Sequence, residues 1–371
     1  MIIGIDANPI FDKKITGIGN YLLNVLNEFS DDRNKYILYT YSKNDKSFDF
    51  KFNYEIKKID ASTSMQCIYF KLPKILYRDM VDIFWGANYM MPKRNKYTKN
   101  IKFIATIHDL AFLVNRKWFN LKDRIRNTIF CKKITKYSDY FFTISNSTKN
   151  DMLKFYPFLE SNKILNASCA YSIDDNIMVD SELKPMVFNF KYFLYLGSLD
   201  KRKNIINIIK GYEQFKLEHK SNIKLVLAGK FANAYKESYN YVIKKNLNND
   251  VIFKEYVTNV EKQVLMQNCE LFLFPSCYEG FGIPILEAYY YNKIVLVANN
   301  SSLVEIAGEH TPIINDCNDF YAIADELYKF ILMDEASKNN IIKKNKEQLA
   351  LFSWKKTADL IQKEINKIGN D

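Results

Sequence analysis

Short apolar runs rich in β-branched and aromatic residues alternate with helical patterns along the whole chain, and this alternation constrains the fold more than any other feature. Residues 2–6, 36–41, 81–85, 101–106 and 140–144 read as strands in the first half. Residues 192–196, 224–228, 251–253, 271–274 and 294–297 do so in the second. Helical patterns lie between them, for example at 19–29, 121–136, 204–217, 260–268 and 284–291. Strands that alternate with helices need crossover connections, so the sheets should be parallel and the class α/β.

The runs fall into two sets, and 371 residues suffice for two ordinary domains. Between the sets, residues 170–190 lose periodicity and carry Asp174, Asp175, Asp180 and Pro185. The expected division is an N-terminal domain over 1–172, a linker over 173–190, a C-terminal domain over 191–352 and a final helix over 353–371. That last segment is amphipathic, with Trp354, Ala358, Ile361 and Ile365 on one face. Two parallel-sheet domains of similar size place a ligand cleft at the C-terminal ends of the strands.

The chain carries a formal charge of +11. Residues 71–136 alone hold 16 Lys or Arg against four Asp or Glu, with Tyr77, Trp85, Tyr97, Trp118 and Phe119 interleaved. Such a segment suits an anionic surface, either membrane phospholipid or a pyrophosphate-linked acceptor, and a solvated Lys-rich helical face is the plain alternative. Nucleic acid is not expected, since no binding-module signature is present. The six cysteines are scattered without a C-x-x-C pair, so neither a metal site nor a redox motif is expected. Residues 1–6 do not read as a signal peptide, and no run approaches the ~20 apolar residues of a transmembrane helix. The expected location is the cytoplasm, with the inner face of the cytoplasmic membrane as a place of contact.

Four segments carry candidate chemistry. The strongest is Ser276-Cys277-Tyr278-Glu279-Gly280-Phe281-Gly282-Ile283-Pro284-Ile285-Leu286-Glu287-Ala288, a turn between an apolar strand and a helix. Gly280 and Gly282 permit close approach of a ligand to the backbone, and a helix beginning near Phe281 aims N–H groups at an anion. Glu279 and Glu287 are spaced to hold separate hydroxyl-bearing parts of one extended ligand. The second is Gly197-Ser198-Leu199-Asp200-Lys201-Arg202-Lys203-Asn204, where cations at a helix start can neutralise a diphosphate. The third is Thr106-Ile107-His108-Asp109-Leu110 at a strand end. A lone His is more often a packed residue than a catalytic one, and no second His or Cys stands at metal-ligand spacing. The fourth is Gly4-Ile5-Asp6-Ala7-Asn8 followed by Thr16-Gly17-Ile18-Gly19-Asn20-Tyr21, which does not complete a dinucleotide fingerprint, because the loop is too long and Leu22 fills the third glycine position.

The first segment resembles the E-x7-E motif, in the form E-G-F-G-x-P-x-x-E, of the GT4 family of retaining glycosyltransferases. The second is similar to that family's G-x-L-x-x-R-K-N element, the third to its T-x-H-D-L element and the fourth to its T-G-I-G-x-Y loop. Further echoes are Phe142-Thr143-Ile144-Ser145, Ser301-Ser302-Leu303-Val304-Glu305 and Phe352-Ser353-Trp354. The resemblance implies a GT-B fold, two Rossmann-like domains facing across a cleft, with the C-terminal helix crossing back to the N-domain. It implies catalytic roles for His108, Glu279, Lys203 and Arg202. Donor contacts are implied for Gly17, Gly19, Gly197, Ser198, Gly280, Phe281, Gly282, Ile283 and Glu287, with Asp109 and Ser145 near the acceptor. Some relatives carry an Arg where this chain has Ser198. The implied substrates are a nucleoside-diphosphate sugar, GDP-mannose foremost, and a glycan or lipid-linked acceptor in surface-polysaccharide synthesis, with no cofactor and no metal. A nucleotide-sugar epimerase of the same fold and an inactive nucleotide-sugar-binding scaffold are the rival readings.

Overall fold

The computed structural model describes residues 1–30, 33–88, 90–173 and 188–370. Most of the expected linker therefore lies outside the described residues. Contacts divide the chain into one unit of Met1–Ala170 with Ser353–Asp371 and a second of Tyr171–Phe352.

The first unit is a seven-stranded sheet of β1 (Ile2–Asp6), β2 (Lys35–Thr40), β3 (Tyr54–Lys58), β4 (Ile83–Gly86), β5 (Lys102–Ile107), β6 (Tyr140–Thr143) and β7 (Ile164–Asn166). Its order is β3-β2-β1-β4-β5-β6-β7, and every pairing is parallel. Helices cover the sheet, so its inner strands are apolar on both faces, and β4 reads Ile-Phe-Trp-Gly with every residue buried.

Residues Trp354–Asn370 form the last helix, which belongs to this first unit although 182 residues of the other unit separate it from Ala170 in the chain. Ala358, Ile361, Ile365 and Ile368 are buried, and the helix packs on the helix Gly17–Asn27. Polar contacts fix its register. Thr357 Oγ1 donates to Ser168 O at 2.7 Å, Asn34 Nδ2 to Asn366 Oδ1 at 2.7 Å and Lys102 Nζ to Ile368 O at 2.9 Å. Truncating both Ile361 and Ile365 to Ala should cost about 2–5 kcal/mol per site, read as a lower denaturant midpoint for the first unit.

The second unit holds β8 (Tyr192–Leu196), β9 (Lys224–Ala228), β10 (Val251–Lys254), β11 (Leu271–Phe274), β12 (Val295–Ala298) and β13 (Ile313–Ile314) in the order β10-β9-β8-β11-β12-β13. All its pairings are parallel as well. In each unit the order reverses beside the first strand, between β1 and β4 and between β8 and β11. Such a reversal opens a crevice at the strand C-termini where loops diverge to opposite faces, the usual place for a ligand. The backbone is tight on the other side of β8, where the loop after β9 meets the loop after β8. Gly229, at φ +134°, would bring a Cβ to 2.1 Å from Gly197 O. Gly229→Ala should therefore destabilise the second unit by about 3 kcal/mol or more, through both clash and left-handed strain, measurable by equilibrium unfolding.

Candidate active site

The loops after β8 and β11 carry the two strongest sequence motifs, and the reversal of strand order makes them neighbours. After β8, Gly197 turns the chain at φ +153°. Tyr195 OH donates to Ser198 O at 2.9 Å, and Ser198 Oγ donates to Asp200 Oδ2 at 2.6 Å. Asp200 caps a short 3-10 turn, Lys201–Lys203, by accepting from Arg202 N at 3.1 Å. Asn204 follows in the left-handed region at φ 66°, its amide donating to Pro275 O and Cys317 O. This locks the cationic turn onto the loop after β11.

There Glu279 receives both cations. Arg202 Nη1 donates to Glu279 Oε2 at 2.8 Å and to Tyr278 O at 2.7 Å, while Lys203 Nζ donates to Glu279 Oε1 at 2.5 Å. Lys203 also sits 5.1 Å from the centre of the Phe274 ring. Glu279 is 6% exposed. Burial alone would push its carboxyl up, but Lys203 and Arg202 outweigh it, and the group is held below the ordinary glutamate value. The main chain is fixed too, since Glu279 N donates to Ser301 Oγ at 3.0 Å and Ser302 Oγ donates to Glu279 O and Phe281 O. Ser301 and Ser302, noted in the sequence only as an echo, thus shape the carboxylate loop.

The helix after this loop spans Ile283–Tyr290 with Gly282 as its N-cap at φ +117°. It starts two residues after Phe281 and within one of the pattern at 284–291; in its first turn Pro284 has no N–H, and Ile285 N already donates to Gly282 O at 2.9 Å. Those two positions therefore give an anion less than the motif suggested, and more of the charge falls to Arg202 and Lys203. Phe281 is buried edge-on against Phe352, 5.6 Å between ring centres. Its side chain is core, and only its backbone remains a candidate for donor contact.

Glu287 is 7% exposed. Its Oε1 accepts from Lys262 Nζ at 2.5 Å, whereas Oε2 is buried with no partner among the described residues. A buried carboxylate oxygen without a donor is costly, so this atom asks for a hydroxyl or N–H from a ligand. Lys262 went unnoticed in the sequence, because 25 residues separate it from Glu287. The helix Asn259–Asn268, set by the Thr258–Glu261 capping box, presents it.

The remaining candidates lie on the first unit. His108, at the end of β5, is 9% exposed, and its Nε2 lies 3.1 Å from Ala87 O. Burial lowers its pKa below the ordinary imidazole value, against the opposing pull of the Ala87 hydrogen bond and Asp109, and so favours the neutral ring at pH 7. The Tyr21 ring meets it edge-on at 5.5 Å. Asp109 accepts from Ala111 N at 3.0 Å, two residues before the short helix Ala111–Val114. Ser145 is the N-cap of the helix Asn146–Phe155, accepting from Thr148 N at 3.0 Å. That contact accounts for Ser145 structurally. Gly17 faces open space, but a Cβ on Gly19 would meet Pro9 O at 2.5 Å. The close approach at Gly19 is therefore to the chain's own backbone.

Asp6, at the end of β1, stands in the fourth segment, where the sequence reading assigned it no role of its own. It is buried, and desolvation, with Asp12 adding and the Asn8 N–H opposing, raises its pKa to about 6. A raised carboxyl pKa means that ionised Asp6 costs folding free energy as pH climbs from about 4 through 6. Asp6→Asn should stabilise the protein by roughly 2 kcal/mol at pH 8, with the gain gone at pH 4. Parallel urea titrations at the two pH values would show it.

The cysteines depart from expectation. Cys277 and Cys317, 40 residues apart in sequence, are joined, with Cα atoms 5.4 Å apart. Sequence spacing could not pair them, because the loops after β11 and β13 meet only in the folded sheet. Cys67, Cys131, Cys169 and Cys269 are buried and free. Among the described residues no helix is long and apolar enough to cross a membrane.

Comparison with known proteins bears on the family and the fold. The family model described as glycosyl transferases group 1 matches residues 184–348. O-antigen chain mannosyltransferase B of Escherichia coli is 25% identical over 286 residues, covering 75% of this chain and 72% of that protein. The serotype-specific mannosyltransferase WbdA of Escherichia coli is 27% identical over 301 residues, again 75% of this chain but only 36% of the longer relative. Among solved structures, sucrose-phosphate synthase from Thermosynechococcus elongatus superposes with TM-score 0.73 at 15% identity, covering 99% of this chain and 98% of that one. WaaG, a glycosyltransferase involved in lipopolysaccharide biosynthesis, gives 0.69 at 14% identity over 97% and 98%. At these identities the structures speak to the fold, which is the two-domain GT-B type.

Proposed function

Because residues 184–348 match the family model described as glycosyl transferases group 1, we propose a retaining, GT4-like enzyme that moves mannose from GDP-mannose to a glycan or lipid-linked acceptor in surface-polysaccharide assembly. The observation that carries the donor site is the pairing of two buried features. Arg202 and Lys203 converge on Glu279 at the strand-order reversal, and Glu287 keeps one buried oxygen without a donor. The choice of mannose is supported by relatives whose names are those of mannosyltransferases.

The chemistry follows from charge. Breaking the bond between the anomeric carbon and the diphosphate oxygen leaves positive charge on the sugar and negative charge on the diphosphate. Lys203 and Arg202, held by Glu279 rather than by water, need no reorganisation to meet that negative charge, which is electrostatic preorganisation. Their two positive charges can take the part that a divalent cation plays elsewhere. The acceptor hydroxyl then attacks from the face that the diphosphate leaves, the departing phosphate oxygen takes its proton, and configuration is retained. Glu287 Oε2 accepts from a ribose hydroxyl, and Lys262 holds that carboxylate in place. Glu279 positions the cations and the donor sugar and is not a nucleophile. The backbone of Gly280–Ile283 and of Gly197–Ser198 borders the donor. Neutral His108 offers a hydrogen bond to the transferred sugar, and Asp109 and Gly17 line the acceptor side.

A thermal-shift screen of GDP, UDP, dTDP and ADP tests the donor site. A ligand at 100 times its Kd adds about 2.7 kcal/mol, and we expect GDP to give that shift in the wild type and not in Glu287→Ala. A screen in which no nucleoside diphosphate raises Tm would remove the donor site. Donor consumed without acceptor and recovered as its epimer would replace transfer by epimerisation.

A further inference from the structure

We propose that Cys277 and Cys317 form a reversible thiol–disulfide pair whose closure tightens the cationic turn Lys201–Lys203 and so strengthens the grip on a nucleoside diphosphate. The hold on the turn stands by itself, and its effect on the nucleotide rests on the donor site proposed above. Geometry sets this pair apart from the other cysteines. The two Cα atoms are 5.4 Å apart, inside the span of roughly 4.4–6.8 Å over which a disulfide closes without backbone movement. Cys67, Cys131, Cys169 and Cys269 are buried and free. Cys277 is part-exposed, so a small reagent can reach its sulfur, and Cys317 is 9% exposed with exposed Asp316 and Asn318 on either side. Exposed disulfides are the labile ones. In the cytoplasm, the location expected from the sequence, reductants keep thiols open, and a pair that closes there senses redox state.

Closure needs a two-electron oxidant, and a low-molecular-weight disulfide such as oxidised glutathione supplies it. The Cys277 thiol loses its proton, and its sulfur attacks one sulfur of that disulfide, whose S–S bond breaks and releases a thiolate. Cys317, deprotonated in turn, attacks the Cys277 sulfur, and the second small thiolate leaves. The two protons end on the two released thiolates. One small disulfide is thus reduced to two thiols while two protein thiols are oxidised to one disulfide. Excess small thiol runs the sequence backwards.

The contacts of the pair give the bond its consequence. Cys277 N donates to Arg202 O at 2.8 Å. Asn204, buried next to Lys203, donates its side-chain amide to Pro275 O at 3.0 Å and to Cys317 O at 2.5 Å. One amide therefore bridges the loop after β11 and the loop after β13, and the disulfide ties the same two loops. With the bond closed, both carbonyls stay within reach of that amide, and the turn that carries Arg202 and Lys203 is pinned. With the bond open, the sulfurs part from about 2 Å to non-bonded contact, and the two carbonyls are no longer fixed relative to each other. Glu279, two residues after Cys277, shares the effect, because Arg202 and Lys203 engage both its oxygens. A displacement of about 1 Å at groups that meet the reacting phosphate is felt as one to two orders of magnitude.

The test compares the full chain equilibrated with oxidised glutathione and with excess dithiothreitol. Alkylation in denaturant should count four free thiols in the first sample and six in the second, with peptide mapping placing the bond between Cys277 and Cys317. Hydrogen exchange then reads the turn without any ligand. The amides of Lys203, Asn204 and Cys277, which donate to Asp200 O, Lys201 O and Arg202 O, should exchange about ten-fold more slowly in the oxidised form. Tm should rise by roughly 10 °C, since closure constrains a long loop of the unfolded chain. Kd for GDP should fall about ten-fold. Cys317→Ser should exchange and bind like reduced wild type under both conditions, and the two states of wild type carry the test should that variant fold poorly. Six free thiols under oxidised glutathione, a bond mapped to other cysteines, or equal exchange in the two states would each overturn the pair. Exchange that differs while GDP binds equally would overturn its coupling to the donor. Exchange that differs while neither state binds GDP would overturn the donor site itself, and with it the second half of the proposal.

Discussion

Lys203→Ala should reduce kcat by about two to three orders of magnitude, the scale on which loss of one preorganised group facing developing negative charge is felt. Lys203 reaches Glu279 at 2.5 Å from a turn fixed by Asp200 and Asn204. Its ammonium therefore sits where it is before any substrate arrives, and none of its benefit is lost to ordering a flexible side chain. KM for the donor should rise far less than kcat falls, because charge on the diphosphate grows as the glycosidic bond breaks. Lys203→Arg should recover little, since a planar guanidinium already occupies the neighbouring position and cannot reproduce a point charge over the Phe274 ring. Initial rates with varied donor would measure both constants. A change confined to KM would mean that Lys203 serves binding alone.

Glu279→Ala should cost about 3–5 kcal/mol of stability, since it strands two cations that are 19% and 13% exposed. The loss has a particular signature. A nucleoside diphosphate brings its own negative charge to the same cations, so saturating ligand should return more stability to this variant than to wild type. The pH dependence has a definite sign as well. Glu279 has a folded pKa below its ordinary value, so its contribution is fully present above pH 4.5 and disappears as pH falls through the lower folded value. Glu279→Ala should therefore flatten the acid limb of the stability curve. Urea titrations with and without GDP, at pH 7 and pH 4, separate this from simple loss of packing.

Much of the architecture was legible because parallel strands buried on both faces are written as short apolar runs. β1, β8, β9 and β11 match the sequence reading residue for residue. The strands that escaped it are those that lack such runs. β3 reads Tyr-Glu-Ile-Lys-Lys with no residue fully buried, as an edge strand can, while β7 has three residues and β13 two. At the candidate site the motifs gave the residues but not their partners. Glu279 lies 76 residues from Lys203, and only the adjacency of β8 and β11 in the sheet makes them meet. Lys262 and the Cys277–Cys317 link were invisible for the same reason. The glycines show the converse. Gly19 looked like a place for ligand, yet its missing side chain makes room for Pro9.

The return of the helix Trp354–Asn370 to the first unit also sets an order of events during synthesis. A ribosome releases the first 170 residues long before the segment that packs on Tyr21 and on the strip around Ser168. The second unit is contiguous and can close as soon as it emerges. The first must wait, with an apolar strip uncovered, for its last 18 or so residues. Translation that stops near residue 352 would thus yield a finished second unit tethered to an unfinished first one, a species marked for chaperone capture or proteolysis.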